Sequence, residues 1–336
     1  MAEPEVATKA PESDAQEDKP TEATGTEGSI FPNDSVAQSG PSMGEHCVTD
    51  RPLPADQQPS GSLTQYSGID VYVSKPSDYP HSPSRLLLLL TGGTGVHSIN
   101  NQLQADKYAS EGYVVVMPDQ FSGDIAPTAA TDPNEVAPAT PSIIERLKLG
   151  FAETAKSFMI DMWLARHTPE KVLPILHKVL ETARDEFADA VANGGGVYAV
   201  GYCFGAKYVL ILAGENAEST VLGQPKEEAD EEEAMVKSGP VIKAGAIAHA
   251  TLVEKKDLTS LKAPVTMVCV ENDQLFPAEI LEAGREYLES NNVKHEIKVF
   301  PEVPHGFAVV GDYSDSSIQN AQGIAFDQMI NWLKAH

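Results

Sequence analysis

The sequence predicts an α/β fold class, with a mostly parallel central sheet and helices on both of its faces. Three observations predict it. Arg85–Leu90 and Tyr113–Met117 are continuous apolar runs of strand length, separated by a helix-compatible segment from Ile99 to Glu111. Strand, helix, strand in that rhythm is the signature of parallel pairing, and unbroken apolar runs suit strands buried on both faces. Further runs at Val197–Val200, Ala244–Ala248, Pro264–Val270 and His295–Phe300 continue the alternation to the C-terminus. Finally, the Val197 run empties into Gly201-Tyr202-Cys203-Phe204-Gly205, with a helix-compatible stretch from Ala206 to Ala213 directly behind it. That is the strand, sharp turn and helix of a nucleophile elbow, with Cys where Ser usually stands.

Composition bounds the rest. Of 336 residues, 41% are hydrophobic, enough for a sizeable core. A formal net charge of −25 argues against nucleic acid and anionic membrane surfaces as partners. No apolar run approaches the length of a membrane span, and the first twenty residues hold no apolar signal core. Cys47, Cys203 and Cys269 make no disulfide framework, so a reducing, cytoplasmic location is expected, and it would keep a thiol usable.

Residues 1–60 carry twelve acidic and three basic side chains among many Pro, Ser and Thr. Such a segment buries too little apolar surface to offset its ordering entropy and reads as a disordered acidic tail. The folded domain is expected over residues 61–336. His46-Cys47 has no second Cys/His pair at ligand spacing, so no metal is expected.

Along the domain, Ile69–Val73 alternates as an outer strand, and a Pro-rich turn at 76–83 precedes the Leu86–Leu90 run. That run ends in Thr91-Gly92-Gly93-Thr94-Gly95, whose backbone can approach a ligand closely. It contains neither G-x-G-x-x-G nor G-x-x-x-x-G-K-[ST], so nucleotide binding is not indicated. Residues 123–142 form a long Pro/Ala/Thr/Asp loop expected to flank the active-site mouth. Two helices are expected at Ile143–Arg166 and Pro169–Ala192, divided by Thr168-Pro169 as N-cap and first-turn proline, with Met159, Met162 and Trp163 in the core. Asn193-Gly194-Gly195-Gly196 stops the second helix. Lys226–Glu233 is an acidic surface insertion. Cys269 sits inside an apolar strand as a core thiol. The last helices are expected at Ala278–Asn291 and Ile318–Lys334.

The chemistry-bearing residues fall just past predicted strand ends, where open parallel sheets collect their sites. In chain order they are Cys203, Asp273 and His305, the nucleophile, acid, base order of an α/β-hydrolase. His305 would take the thiol proton and later protonate the leaving group, with Asp273 orienting the imidazole. The oxyanion hole should combine the N–H of Phe204 with one from the Gly92–Gly93 loop, assigned to Gly93. Gly92, Phe121 and His249 are candidate substrate contacts, although His249 reads more readily as a structural histidine.

These residues bring a family into view. From about Gly44 onward the chain resembles the dienelactone hydrolase family, particularly its fungal cytosolic members. The matching pieces are Glu45-His46-Cys47, Gly68–Val73, Asn101–Asp106, Pro118–Asp124, Gly201–Tyr208, Glu271-Asn272-Asp273 and His305–Val309. The resemblance implies an α/β-hydrolase domain and a Cys-His-Asp hydrolase of small esters or lactones, with the triad on Cys203, Asp273 and His305 and no cofactor. Three departures stand out. The acid-bearing (Asp/Glu)-Ile-Phe-Gly loop of the family is replaced by Gly92-Gly93-Thr94-Gly95. The arginines that hold a substrate carboxylate in bacterial members would fall near Ala308–Asp312 and at Gly123-Asp124, and neither stretch has one. Asp124 would repel a carboxylate there. The expected reaction is hydrolysis of small carboxylic esters, lactones or thioesters through a covalent acyl-enzyme. The alternatives are a catalytically weak hydrolase-fold scaffold that binds partners through its acidic segments, and a thiol sensor acting through Cys203. The sequence leaves monomer and homodimer open.

Overall fold

The computed structural model describes residues 49–53, 57–127, 158–215 and 239–336. Among these residues eight strands form one sheet: β1 (Ser62–Tyr66), β2 (Ile69–Ser74), β3 (Arg85–Leu90), β4 (Tyr113–Pro118), β5 (Val197–Tyr202), β6 (Ala244–Ala248), β7 (Val265–Val270) and β8 (His295–Phe300). Their spatial order is β1-β2-β4-β3-β5-β6-β7-β8. The β1–β2 and β2–β4 pairs are antiparallel, and every other pair is parallel. The β1–β2 hairpin closes on Ser67-Gly68, both at positive φ (51° and 79°), the conformation a two-residue turn between right-twisted strands requires.

Among the described residues the helices are α1 (Ile99–Ser110), α2 (residues 158–166), α3 (Pro169–Glu186), α4 (Ala188–Gly194), α5 (Phe204–Leu212), α6 (Lys255–Thr259), α7 (Ala278–Ser290) and α8 (Ser316–Ala335). The leucine run of β3 divides between the two sheet faces as its period of two dictates. Leu86, Leu88 and Leu90 join a core shared with α3, α5 and Trp163, while Leu87 and Leu89 join one shared with α1 and α8. A run buried on both faces is therefore what the structure contains.

Two expectations are corrected, and one element was not anticipated. The helix expected at Pro169–Ala192 breaks at Phe187 (φ −115°, ψ 41°), where the ring turns into the core instead of continuing the helix. The short α6 carries no apolar periodicity that would announce it; its N-terminus is held by reciprocal bonds between Glu254 and Asp257. Of the three residues assigned to the core of the preceding helix, only Trp163 is buried. Met159 and Met162 are about half exposed, flanking the buried stripe that Ile160 and Trp163 form on α2. Cys269 is buried, and its apolar surroundings push the thiol pKa up to about 12. The Glu45–Cys47 piece, most of the 123–142 loop, the helix start at Ile143 and the acidic insertion at 226–233 lie outside the described residues.

Upstream of residue 61, Thr49–Leu53 lies against the domain. Asn100 Nδ2 donates to Arg51 O at 3.0 Å, and Asp312 N donates to Pro52 O at 2.9 Å. Ser98 Oγ donates to Asp50 Oδ1 at 2.6 Å, and the Arg51 guanidinium lies 4.0 Å from the centre of the Tyr313 ring.

Candidate active site

The parallel strands β3, β5, β6 and β7 end at one edge of the sheet, and each is followed there by a residue the sequence had singled out. The chain leaving β8 turns back to the same edge.

The elbow is built by steric exclusion. Cys203 joins β5 to α5 at φ 51°, ψ −115°, a conformation that costs a non-glycine residue free energy and persists only where neighbours enforce it. A Cβ at Gly201 would come within 2.7 Å of the Ala206 Cα, and one at Gly205 would overlap the Leu90 carbonyl. Gly205 N donates to Thr91 O at 3.0 Å and Cys203 N to Ala248 O at 3.2 Å, locking the turn between β3 and β6. Phe204 opens α5, so its N–H belongs to the helix-start donors that lack an intrahelical partner.

The other two residues converge on this point. Asp273 follows β7; its Oδ1 accepts from Leu275 N at 2.9 Å, and its Oδ2 lies 2.6 Å from His305 Nδ1. That bond fixes Nδ1 as the donor and turns Nε2 toward Cys203. Asp273 and His305 are 5% and 9% exposed, so the pair operates largely out of water. Burial disfavours a charge on His305. Hydrogen bonding to Asp273 and Cys203 and their negative charges outweigh it, and the pKa rises to about 9. Beside both stands Thr251, whose Oγ1 is 3.3 Å from Cys203 Sγ and 3.3 Å from His305 Nε2.

His249, at the end of β6, is fully buried at φ 37°. Its ring lies edge-on to His305 at 5.0 Å between centroids, and neither ring nitrogen has a hydrogen-bond partner. Burial first, and then the charge on His305, hold its pKa well below the usual histidine value, so the ring is neutral. The cleft over Cys203 has a volume of ≈ 400 Å³ and opens to solvent at its mouth. His249 and Gly92 line it, and Thr49–Arg51 form part of its wall.

The other expected residues are held by further contacts. Gly93 O accepts from Ala126 N at 2.9 Å, which shapes the loop beside the elbow. Phe121 packs behind the wall, its ring centroid 5.0 Å from that of Trp163 and 5.3 Å from that of Phe204. Asp124 is not a bare carboxylate: Arg166 Nε donates to it at 3.0 Å, which offsets the repulsion expected there. Thr251 and the Thr49–Arg51 wall were not anticipated. No motif marks Thr251, and the wall lies in a stretch whose composition reads as tail.

The dienelactone hydrolase family model matches residues 69–336. Hydrolase pyvD of Aspergillus violaceofuscus is 29% identical over 276 residues, covering 82% of this chain and 90% of that protein. Dienlactone hydrolase 1 of Gibberella moniliformis is 28% identical over 282 residues, covering 82% and 88%. Among solved structures, a Klebsiella pneumoniae protein described as a dienelactone hydrolase superposes with a TM-score of 0.56 at 18% identity, over 83% of this chain and all of that one. Thermogutta terrifontis esterase 2 superposes with a TM-score of 0.51 at 15% identity, over 83% and 97%. At those identities the structures speak for the fold alone, an α/β-hydrolase. With most of its length matched by the family model, the chain belongs to the dienelactone hydrolase family and is a hydrolase of the ester and lactone class.

Proposed function

We propose that the chain hydrolyses small carboxylic esters, lactones or thioesters through a covalent acyl-enzyme on Cys203. The observation that carries this reading is the line from Asp273 through His305 to the buried elbow thiol, closed by a 2.6 Å Nδ1–Oδ2 contact. In the first step the Cys203 thiolate attacks the carbonyl carbon. A C–S bond forms and the carbonyl electrons move to oxygen, where the N–H groups of Phe204 and Gly93 receive the charge. Collapse breaks the C–O or C–S bond to the leaving group, which takes the proton from His305 Nε2. His305 then removes a proton from water, the resulting nucleophile attacks the thioester, and the acid departs with the thiolate restored. Asp273 holds the imidazole orientation throughout and stabilises its positive form whenever it carries the second proton. Gly92 and the neutral His249 ring face the substrate, and Phe121 supports the elbow from behind.

The test is turnover by the purified protein under reducing conditions, wild type beside Cys203→Ala and His305→Ala. The substrates are short-chain aryl esters, a thioester and a dienelactone. Loss of turnover in both variants, with an acyl adduct detected on the Cys203 peptide for a slow substrate, is expected. Full activity in Cys203→Ala would falsify the mechanism.

A further inference from the structure

The loop after β6 holds a residue that neither motif nor family reading assigns. We propose that Thr251 is a further catalytic residue, its hydroxyl donating to the Cys203 thiolate while accepting from His305 Nε2. This inference rests on the Cys203 nucleophile proposed above.

The geometry carries it. Thr251 is fully buried, and its Oγ1 is 3.3 Å from each of the two reacting atoms, forming the third corner of a triangle with sulfur and Nε2. A threonine hydroxyl has one proton to give and lone pairs to receive, so it can serve both neighbours at once in one polarity. With the imidazole protonated and the thiol ionised, Nε2–H donates to Oγ1 and Oγ1–H donates to Sγ. Return to thiol and neutral imidazole moves the Thr251 proton to sulfur as the Nε2 proton moves to Oγ1. Thr251 is neutral before and after, and charge and protons balance.

The placement is enforced rather than incidental. His249 (φ 37°) and Leu252 (φ 60°) flank it in left-handed conformations that non-glycine residues avoid. Thr251 N donates to Cys203 O at 3.2 Å, so the loop is tied to the nucleophile by its backbone as well. Lys207, one turn along α5 from the elbow, donates to Leu252 O at 2.9 Å and to Glu254 Oε1 at 2.8 Å. The strained loop is thus pinned on both sides of Thr251. The charged and titratable groups that face the thiol and imidazole from neighbouring elements are Asp273 from beyond β7, His249 from β6, and Asp50 and Arg51 in the cleft wall. All four remain in place in the variants below, so any change in titration reports the hydroxyl.

The experiment measures the pH dependence of iodoacetamide alkylation at Cys203, read on its own peptide by mass spectrometry. Ester kcat and KM are measured alongside, for wild type, Thr251→Val, Thr251→Ser, Thr251→Ala and Cys203→Ala. A hydrogen bond to a charged group is worth roughly ten- to a hundredfold in an equilibrium. Thr251→Val should therefore move the alkylation inflection up by about one to two pH units. It should lower kcat/KM at pH 7 about ten- to a hundredfold through kcat, with KM little changed. Thr251→Ser should restore both. If Val disturbs folding, as a melting curve would reveal, Thr251→Ala replaces it in the comparison. An unshifted profile in the hydroxyl-free variant, while Cys203→Ala is inert, overturns the role of Thr251 and leaves the nucleophile intact. A Ser variant shifted as far as the Ala variant attributes the effect to the methyl group and also overturns it. Turnover that survives Cys203→Ala sinks the nucleophile reading itself, a different failure from either of these.

Discussion

Replacing Lys207 by Met tests how the elbow helix and the loop beside it are held together. The lysine side chain is only 11% exposed, and Met matches its unbranched shape, so the change removes charge and donors more than volume. Two consequences follow. Leu252 O loses a partly buried donor, a loss of about 1 kcal/mol. Asp257, 3% exposed, loses the ammonium 3.7 Å away and becomes a buried carboxylate with less compensation. Stripping one partner from a buried pair costs about 3–5 kcal/mol. Here Glu254 N still donates to Asp257 at 2.8 Å, and the Glu254 side chain is half exposed, so its own pair with Lys207 contributes little. The net expectation is about 2–4 kcal/mol of destabilisation at pH 7.5. Burial already raises the Asp257 pKa and Lys207 opposes that rise, so the variant raises it further. A carboxyl whose folded pKa lies above its unfolded one costs stability while ionised, and that cost lifts as pH falls through the folded value. The deficit should therefore narrow between pH 7.5 and 5. Urea denaturation of both proteins at several pH values measures it. A deficit under about 0.5 kcal/mol, or one that widens toward pH 5, refutes the reasoning.

Gly205→Ala would drive a methyl into the Leu90 backbone and should cost about 2 kcal/mol or more, read as a lowered melting temperature together with lost turnover. Asp273→Asn leaves His305 without its carboxylate and should reduce kcat about a thousandfold or more in steady-state assays. In wild type the alkaline limb of kcat/KM should lie near the raised His305 pKa of about 9, where the imidazolium proton is lost; in Asp273→Asn the limb should move to lower pH. Asn100→Ala removes the donor shared by Arg51 O and Val310 O, and should cost about 1–3 kcal/mol in urea denaturation. It should also raise KM more than it lowers kcat, since it loosens the cleft wall and not the triad.

What the sequence made legible was whatever local periodicity and local sterics decide. The β3 leucines and the β5 run could be read as buried strands because a parallel sheet covered on both faces needs apolar residues at every position. The elbow could be read because only small residues tolerate the approach of α5 to β3 and β5. His305 and Asp273 followed from their position after strands. Thr251 could not be read this way. A threonine in a loop has no period, and its role exists only where Leu252 and Lys207 fix its direction. Met159 and Met162 misled because an apolar residue type does not say how wide the buried stripe of a helix is. Phe187 broke a helix because burying its ring outweighed continuing a backbone ladder that propensity alone would favour. His249 stayed ambiguous until its two ring nitrogens were found buried and without partners beside the cleft.

The contact of Thr49–Leu53 with Ser98, Asn100 and the Asp312-Tyr313 turn has a consequence for assembly. Those partners come from near the start and near the end of the folded chain, so the cleft is closed by segments far apart in sequence. Contacts of that kind form late, because the loop they close must be ordered before they repay it. The elbow can take shape once β3, β5 and β6 have paired, but the chamber above it must wait for the turn before α8. During synthesis from the ribosome, a thiol on a strained turn would therefore exist before the wall that encloses it. In the finished protein the same order runs backwards: the wall is the part expected to open at the least cost, exchanging its amide hydrogens well ahead of the sheet beneath.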